Sequence, residues 1–367
     1  MTGLYIHVPF CARKCPYCDF YSLRFSRSAV DGFTEAAVRN IQSFKGRNIA
    51  ADTVYFGGGT PSLLSCEQVS AILDAVRDCF ELSDAEITLE ANPCTADFDK
   101  LCGYRRAGVN RLSFGVQSAD DSELLKLGRL HNSERAQRAV EDAVKAGFEN
   151  ISCDLMLGTP GQTRQSLKNS VDTLTRLPIQ HISAYMLRIE QGTPYDNEKI
   201  RNDIVDDELV SQMYLDTVEK LGASGFEQYE ISNFAKAGFE SRHNMKYWTG
   251  EDYIGIGPSA HSLFGARRYF CPSDLESFLS EPVQQSVTED DDPDRLEEYV
   301  MLGLRLTKGI SLQRLTELGV SDLSGFDKMT RLLEKAGLCV AQGDSVRLTP
   351  QGFLVSNAVI AELISSL

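Results

Sequence analysis

Short apolar runs alternate with amphipathic segments through the first 225 residues of the chain. The first run, Leu4-Tyr-Ile-His-Val8, predicts a β-strand. Apolar residues at helical spacing between Ser28 and Lys45 then predict a helix. The pattern recurs, and further strands are predicted at residues 53–56, 87–90, 111–116, 151–156 and 181–187. This rhythm is typical of βαβ units, whose strands form a parallel sheet.

A helix is predicted after each of the later strands as well. These helices lie near residues 66–80, 97–107, 165–176 and 206–221, with helical sequence also leading up to residue 146. Six strand–helix units favour a partial or complete α/β barrel. The pattern by itself is also compatible with a doubly wound open sheet.

The C-terminal part of the chain has a different pattern. Helices are predicted at residues 294–306, 310–318, 326–336 and 351–364, with two short strands at 338–340 and 346–348. This order resembles a winged-helix unit with an α+β fold. Its basic residues are diluted by acids, which disfavours DNA binding and favours a lid or interaction module. These basic residues are Arg314, Lys328, Arg331 and Lys335.

We therefore predict three regions: a partial barrel at residues 1–225, a connecting segment at 226–290, and a winged-helix-like domain at 291–367. An acidic cluster, residues 289–292 with Asp294, lies at the second boundary. Dense like charges repel one another, so this cluster predicts a solvated linker.

Composition narrows the class of protein. The 367 residues are 42% hydrophobic and 24% charged, which is an ordinary globular profile. No apolar run approaches the ~20 residues that a membrane span needs, and no secretion signal is recognisable. Ten irregularly spaced cysteines do not suggest a disulfide framework, so we expect a cytoplasmic protein. The formal net charge of −15 makes nucleic acid an unlikely partner.

Three cysteines follow the first strand at C-x3-C-x2-C spacing: Cys11, Cys15 and Cys18. Thiolates are the usual ligands of iron–sulfur clusters, and three of them would leave one iron of a [4Fe-4S] cluster open to a small molecule. Two alternatives exist. The three thiols could bind zinc together with His7, or they could be ordinary free thiols.

The segment from Tyr5 through Cys18 to Phe20 resembles the signature of the radical S-adenosylmethionine (radical SAM) superfamily, and in particular its coproporphyrinogen III oxidase-like branch. The resemblance implies an opened, TIM-like (β/α)6 barrel. It also implies a cluster whose open iron chelates S-adenosyl-L-methionine. An electron from a donor would then cleave this cosubstrate to a 5′-deoxyadenosyl radical.

Polar residues stand where the predicted strands end, which is where parallel barrels carry their chemistry. The turn at residues 57–61, Gly-Gly-Gly-Thr-Pro, could offer backbone N–H donors to a ligand, and strand six carries Tyr185. An isolated acid at a strand end is more often solvated or a helix cap. The resemblance implies that the cluster-bound cosubstrate is contacted by Tyr5, Gly58 and Glu90. It further implies that a second S-adenosylmethionine is contacted by Tyr17, Gly59, Thr60, Gln117, Arg129 and Asp154.

A second motif, H-N-x-x-Y-W, begins at His243 and contains the only tryptophan, Trp248. A histidine can ligate haem iron, although physical reasoning alone favours a hydrogen-bonded core histidine. The motif resembles the signature of HemW-type haem chaperones, which implies haem as a cofactor. For the following glycine-rich segment, residues 255–262, the family resemblance implies that His261 contacts the first cosubstrate.

Two departures from oxygen-independent coproporphyrinogen III oxidases point to the chaperone subfamily. Phe20 stands where those enzymes have a further cysteine, and only ten residues precede Cys11. We therefore expect a haem chaperone that passes haem to an acceptor haemoprotein. The alternative is an oxidase of porphyrin biosynthesis. A third hypothesis, a nucleic-acid modifier, is disfavoured by the charge.

Overall fold

The computed structural model describes residues 1–290 and 293–367. Its first eight strands are β1 (Thr2–Val8), β2 (Phe10–Cys11), β3 (Leu23–Arg24), β4 (Ile49–Gly58), β5 (Phe80–Ala91), β6 (Arg111–Gln117), β7 (Asn150–Leu157) and β8 (His181–Met186). The later strands are β9 (Glu227–Gln228), β10 (Asn233–Ala235), β11 (Tyr253–Ile256), β12 (His261–Phe264), β13 (Arg267–Phe270), β14 (Val287–Asp290), β15 (Ile310–Ser311), β16 (Cys339–Gln342) and β17 (Ser345–Leu348).

The helices surround these strands. Those of the first half are α1 (Arg27–Gln42), α2 (Cys66–Cys79), α3 (Phe98–Ala107), α4 (Asp121–Lys126), α5 (Ser133–Lys145), α6 (Arg164–Arg176), α7 (Glu198–Asp203) and α8 (Asp207–Ala223). The remaining helices are α9 (Arg242–Thr249), α10 (Leu275–Ser280), α11 (Arg295–Gly303), α12 (Leu312–Glu317), α13 (Ser324–Lys335), α14 (Pro350–Leu354) and α15 (Ser356–Ser365).

One twelve-stranded sheet forms the main layer, in the order β14-β13-β12-β11-β1-β4-β5-β6-β7-β8-β10-β9. The six strands β1 and β4 to β8 are parallel and stand in sequential order, as the sequence predicts. Within the described residues no ladder joins β14 to β9, so the barrel is open. The predicted fold class, a partial (β/α)6 barrel, is confirmed, and sequential strand order argues against the doubly wound alternative.

Alternation along the strands separates an apolar outer face from a polar inner face. In β1, Leu4 and Ile6 belong to the buried apolar core, whereas Tyr5 and His7 belong to the other face. The helices cover the outer face. Helix α2 starts with a capping box in which Ser65 Oγ accepts from Gln68 N, and α2 buries Val69 and Ile72. The inner face is therefore left to polar side chains.

Several local predictions differ from the structure. Residues 310 and 311, predicted as the start of a helix, form the short strand β15. The helical sequence before residue 146 forms two helices, α4 and α5, because Gly128 has a left-handed φ of 70° between them. The predicted closing helix at residues 351–364 is also interrupted, at Val355. Helix α7 was not predicted.

The predicted connecting segment, residues 226–290, extends the sheet at both edges through β9 to β14. Glu289 and Asp290 of the acidic cluster lie on the exposed edge strand β14, while residues 291 and 292 lie outside the described part. The division of the chain at residues 225 and 290 stays a prediction.

The C-terminal region packs a three-stranded sheet, β15-β17-β16, against α11 to α15. Backbone hydrogen bonds join it to the barrel: Ile231 N donates to Arg305 O at 3.0 Å, and Thr307 N donates to Tyr229 O at 3.1 Å. Across residues 1–290 and 293–367, no helix has both the length and the apolar character needed to cross a membrane.

Glu230 lies at this junction and is fully buried. Its Oε1 accepts a hydrogen bond from Ser232 N at 3.2 Å, while Oε2 has no partner among the described residues. Burial raises the pKa of Glu230 to about 7, and nearby Arg305 offsets this only in part. The folded protein therefore holds a proton on Glu230 at pH values where the unfolded chain has lost it.

We predict that replacing Glu230 with Gln stabilises the protein more at pH 8 than at pH 5. The raised pKa means that wild-type stability falls as pH rises between 4.5 and about 7, and a neutral amide removes this loss. The expected difference in the free energy of unfolding is about 2–3 kcal/mol at pH 8. Urea unfolding at both pH values would measure it. Glu227→Gln, at an exposed position on β9, is the matched control, and a pH-independent Glu230→Gln effect would contradict the prediction.

Candidate functional site

A cavity of about 420 Å³ opens at the C-terminal ends of the parallel strands. Most of the residues predicted to bind cofactors line it: Cys11, Cys15, Tyr17, Cys18, Gly58, Gly59, Thr60, Glu90, Gln117, Arg129 and Asp154. The structure thus brings eleven separately predicted positions to one place. Tyr5, His243 and His261 are not among its lining residues.

The three cysteines stand at the mouth of this cavity as partly exposed thiols. Thr60 Oγ1 lies 3.6 Å from Cys11 Sγ, and Arg129 Nη1 lies 3.6 Å from Cys15 Sγ. Burial raises the pKa of Cys18, and the two neighbouring thiols add to this. Three thiols of one short loop that face one cavity fit the ligand set of an iron–sulfur cluster.

The zinc alternative lacks its fourth ligand in this geometry, because both ring nitrogens of His7 are engaged. Nε2 bonds the Tyr21 carbonyl at 3.0 Å, so Nε2 carries the proton and Nδ1 accepts from the Tyr5 hydroxyl at 3.0 Å. Tyr5 is itself half-buried. Its hydroxyl therefore orients His7 here, and its predicted contact with the cosubstrate stays a prediction.

The glycine turn has a different role from the one expected of its backbone. Gly59 N donates to Val8 O at 2.9 Å, and Thr60 N donates to Phe10 O at 2.7 Å. These two N–H groups are therefore not available to a ligand, which corrects the expectation that they would be. A Cβ at Gly59 would lie 2.6 Å from the Phe10 carbonyl oxygen, so glycine permits this close approach.

Two half-buried carboxyl groups lie in the floor of the cavity. Glu90 accepts from the Tyr55 hydroxyl at 2.8 Å, and Asp154 accepts from Ser113 Oγ at 3.2 Å. Burial, reinforced by Asp154, raises the pKa of Glu90 to about 7, and burial raises that of Asp154 to about 6. Near neutral pH these groups can exchange protons with a bound ligand or accept its hydroxyl and amino groups.

Arg111 is a candidate site residue that the sequence analysis missed. Its side chain is 1% exposed and lines the cavity. It makes no hydrogen bond or ion pair within the described residues, and its Nε is buried without a partner. Arg111 and Gln117 lie an even number of positions apart on β6. The alternation of side chains along a strand therefore could have predicted that Arg111 also faces the cavity. A guanidinium in this position suits an anionic group of a ligand.

His243 is placed in the core beneath the cavity, with no exposed surface. Its Nδ1 lies 2.8 Å from Thr53 Oγ1, and its Nε2 lies 2.8 Å from the Tyr247 hydroxyl. Burial lowers the pKa of His243 to about 3, and its ring stacks on Tyr55. The expectation that His243 ligates haem iron is not supported by this geometry, because neither nitrogen is free. The alternative of a hydrogen-bonded core histidine fits it.

His261 lies on the edge strand β12, away from the cavity lining. Its side chain is more than half exposed, stacks on Phe270 and has Glu289 3.6 Å from Nδ1. Contact with a cosubstrate in the cavity stays a prediction. Phe20, which takes the place of the expected oxidase cysteine, lines the cavity and is 66% exposed.

Comparison with known families matches two regions of the chain. Residues 5–174 match the Radical SAM superfamily, and residues 290–355 match the HemN C-terminal domain. The first match contains the cysteine loop, the glycine turn and the floor carboxylates. The second contains most of the region that was predicted to resemble a winged helix.

Named relatives are similar to most or all of the chain. The chain is 37% identical to the "Heme chaperone HemW" of Bacillus subtilis, with all of both chains covered. It is 39% identical to that of Escherichia coli over 71% of this chain and 69% of that protein. Radical S-adenosyl methionine domain-containing protein 1, mitochondrial, of Bos taurus is 34% identical, covering 100% of this chain and 88% of that protein.

A solved structure has the same fold. The coproporphyrinogen III oxidase (HemN) from Escherichia coli, a radical SAM enzyme by its description, aligns with a TM-score of 0.84. The alignment covers 100% of this chain and 90% of that chain at 22% identity. At this identity the likeness is one of fold.

We predict that Gly59→Ala lowers both stability and the iron content after anaerobic reconstitution. The new methyl group would push the Phe10 carbonyl, and with it the cysteine loop, away from β4, at about 1–3 kcal/mol. Urea unfolding and iron analysis would measure the two effects. Gly222→Ala on α8, where nothing lies within 4 Å of the new Cβ, is the control and should be neutral or stabilising by up to ~1 kcal/mol. Equal iron content in the two variants would refute the role of Gly59.

Proposed function

The chain belongs to the HemW family of radical SAM proteins, and on that premise we propose that it is a haem chaperone. In this proposal it binds a [4Fe-4S] cluster, S-adenosyl-L-methionine and haem, and it transfers haem to an acceptor protein. The observation that carries the proposal is the cavity that joins three thiols of one loop to a polar floor, in a chain similar over its full length to named haem chaperones.

The cluster and S-adenosylmethionine each have residues that fit them. Cys11, Cys15 and Cys18 would hold the cluster, which when bound supplies an electron-transfer centre with one open iron. Gly58 and Glu90 would contact the S-adenosylmethionine molecule that is bound to the cluster. Tyr17, Gly59, Thr60, Gln117, Arg129 and Asp154 would contact a second molecule.

The protonation states of the two carboxyl groups in the cavity floor favour a polar ligand. Glu90 and Asp154 have raised pKa values, about 7 and about 6, so either can donate or accept a hydrogen bond near neutral pH. Arg111 would balance a ligand carboxylate in the same floor. A purely apolar ligand would leave the buried Arg111 Nε without a partner.

The alternative function is that of an oxygen-independent coproporphyrinogen III oxidase. The oxidase structure supports the shared fold only, whereas relatives at 32–39% identity are named haem chaperones. The exposed Phe20 at the cavity mouth also replaces the cysteine that the resemblance assigns to oxidases. These observations favour the chaperone.

The proposal implies particular partners. An acceptor haemoprotein would receive the haem, and an electron donor would be needed if the cosubstrate is cleaved. Ten free cysteines suit a reducing, cytoplasmic compartment. The net charge of −15 does not suit a nucleic-acid partner.

We predict that replacing Cys11, Cys15 and Cys18 together with Ala abolishes cluster assembly. Loss of all three thiolates should remove the broad cluster absorbance near ~400 nm from anaerobically reconstituted protein. Iron and sulfide analysis would give the stoichiometry. Cys94→Ala, at an exposed thiol outside the cavity, should retain the cluster. Unchanged iron content in the triple variant would exclude these ligands.

We predict no decarboxylation of coproporphyrinogen III by the reduced, reconstituted protein supplied with S-adenosylmethionine under strict anaerobiosis. Chromatography with mass spectrometry would detect protoporphyrinogen and 5′-deoxyadenosine. The same preparation, loaded with haem, should pass it to apomyoglobin, used as a probe acceptor. Protoporphyrinogen formed with matching 5′-deoxyadenosine would show an oxidase and reject the chaperone.

A further inference from the structure

A second cavity, of about 590 Å³, lies between the edge of the barrel and the C-terminal helices. On the barrel side, Trp248 at the end of α9 and Leu263 on β12 line it. On the C-terminal side, Tyr299, Leu302 and Leu306 line it. Its volume is in the range of pockets that hold drug-sized ligands, ~300–1,000 Å³.

The cavity combines apolar walls with positive charge. Leucines and two aromatic rings form much of the wall, while Arg295, Lys308 and Arg314 also line it. Among the described residues, the side chains of Arg295 and Lys308 have no ion pair or hydrogen bond, and Arg314 pairs with Glu317 at 2.9 Å. Two carboxylates also line the cavity. Glu298 is engaged by Arg268, whereas Asp252 has no ion pair among the described residues. In a chain of net charge −15, two unpaired cations beside an apolar wall favour an amphipathic anion.

The aromatic wall is held in place from both sides of the cavity. The Arg305 guanidinium lies 6.0 Å from the centre of the Trp248 ring and donates to Asn357 Oδ1 on α15 at 2.9 Å. The Tyr299 hydroxyl accepts from Ser311 N at 2.8 Å. Large apolar surfaces held in this way suit a flat ligand, because little conformational freedom is lost on binding.

The cluster cavity is less suited to such a ligand. Its floor carries the half-buried Glu90 and Asp154 and the buried Arg111, and the cofactors proposed for it would occupy the space above them. An apolar ring there would leave Arg111 Nε without a partner. The tetrapyrrole of a haem chaperone therefore needs a separate site.

We propose that the cavity between Trp248 and the C-terminal helices binds the tetrapyrrole, with its ring against Trp248, Tyr299 and Leu302 and its carboxylates toward Arg295 and Lys308. The proposal rests on the haem chaperone function and gives it a site that is distinct from the cluster cavity. It also assigns a role to the tryptophan of the H-N-x-x-Y-W motif, while His243 of the same motif remains in the core.

The residues that line the cavity determine which part of the tetrapyrrole the protein can recognise. None of the described residues that line the cavity is a histidine, cysteine or methionine, and the Tyr299 hydroxyl already accepts a hydrogen bond. Recognition therefore depends on the ring and its carboxylates, and not on the iron. Metal-free protoporphyrin should consequently compete with haem for the same site.

The test is a haem titration of the full-length, reconstituted protein, with metal-free protoporphyrin as competitor. Arg295→Glu with Lys308→Glu should weaken haem binding about tenfold, since two favourable contacts become repulsive. The control Lys328→Glu with Arg331→Glu reverses two exposed charges on α13 away from the cavity and should bind as wild type. A third variant, Lys14→Glu with Arg24→Glu, probes the basic cavity of about 470 Å³ beside the cysteine loop.

The outcomes separate the site from the function. Weakened binding in the Arg295/Lys308 variant alone, with competition by metal-free protoporphyrin, supports the site. Three results would overturn the site while leaving the chaperone function intact. They are wild-type affinity in that variant, loss of binding only in the Lys14/Arg24 variant, and failure of metal-free protoporphyrin to compete. Failure of the wild-type protein to bind haem would instead reject the proposed function itself.

Discussion

Two backbone hydrogen bonds hold the cysteine loop over the ends of the barrel strands, and the rest of the site depends on them. They run from Gly59 N to Val8 O and from Thr60 N to Phe10 O, and they form only because Gly59 has no Cβ. A separation of a few tenths of an ångström at this point would move the thiols relative to the floor. The glycine turn therefore fixes where the cysteine thiols lie, and through that position it affects the chemistry of the site.

The polar inner face of the sheet follows from the same architecture. An open parallel barrel buries its outer face under helices, so alternation leaves the inner face to polar and charged side chains. Arg111 is buried there without a hydrogen bond or ion pair among the described residues, and Glu90 and Asp154 have raised pKa values beside it. An uncompensated charge in such a place costs several kcal/mol. A bound polar ligand would offset this, so the interior is organised for an occupant.

The sequence predicted the barrel and most of the cavity, because both depend on local signals. Strand rhythm and residues at strand ends, such as Cys11, Glu90 and Asp154, report directly on the parallel fold. The hydrogen bonds of His243 could not be predicted in this way, since Thr53 lies 190 positions away along the chain. The use of the Gly59 and Thr60 N–H groups by the first strand also depends on tertiary contact. Spacing predicted which residues would lie at the cavity, and only packing shows what they contact.

A tetrapyrrole site at the barrel edge suits a carrier better than a site within the barrel. A ligand that must leave for another protein needs a path to the surface, and the cavity at Trp248 is bounded by the exposed edge hairpin and the C-terminal helices. The two cavities need not be independent. Residues Tyr229 to Ile231 bond the backbone at Arg305 to Thr307, and Arg305 lies over Trp248, while Glu230 contributes to the electrostatic field at Tyr185 in the cluster cavity. The segment at residues 229–231 therefore lies close to both cavities, and a charge on Glu230 would change the electrostatic potential in each.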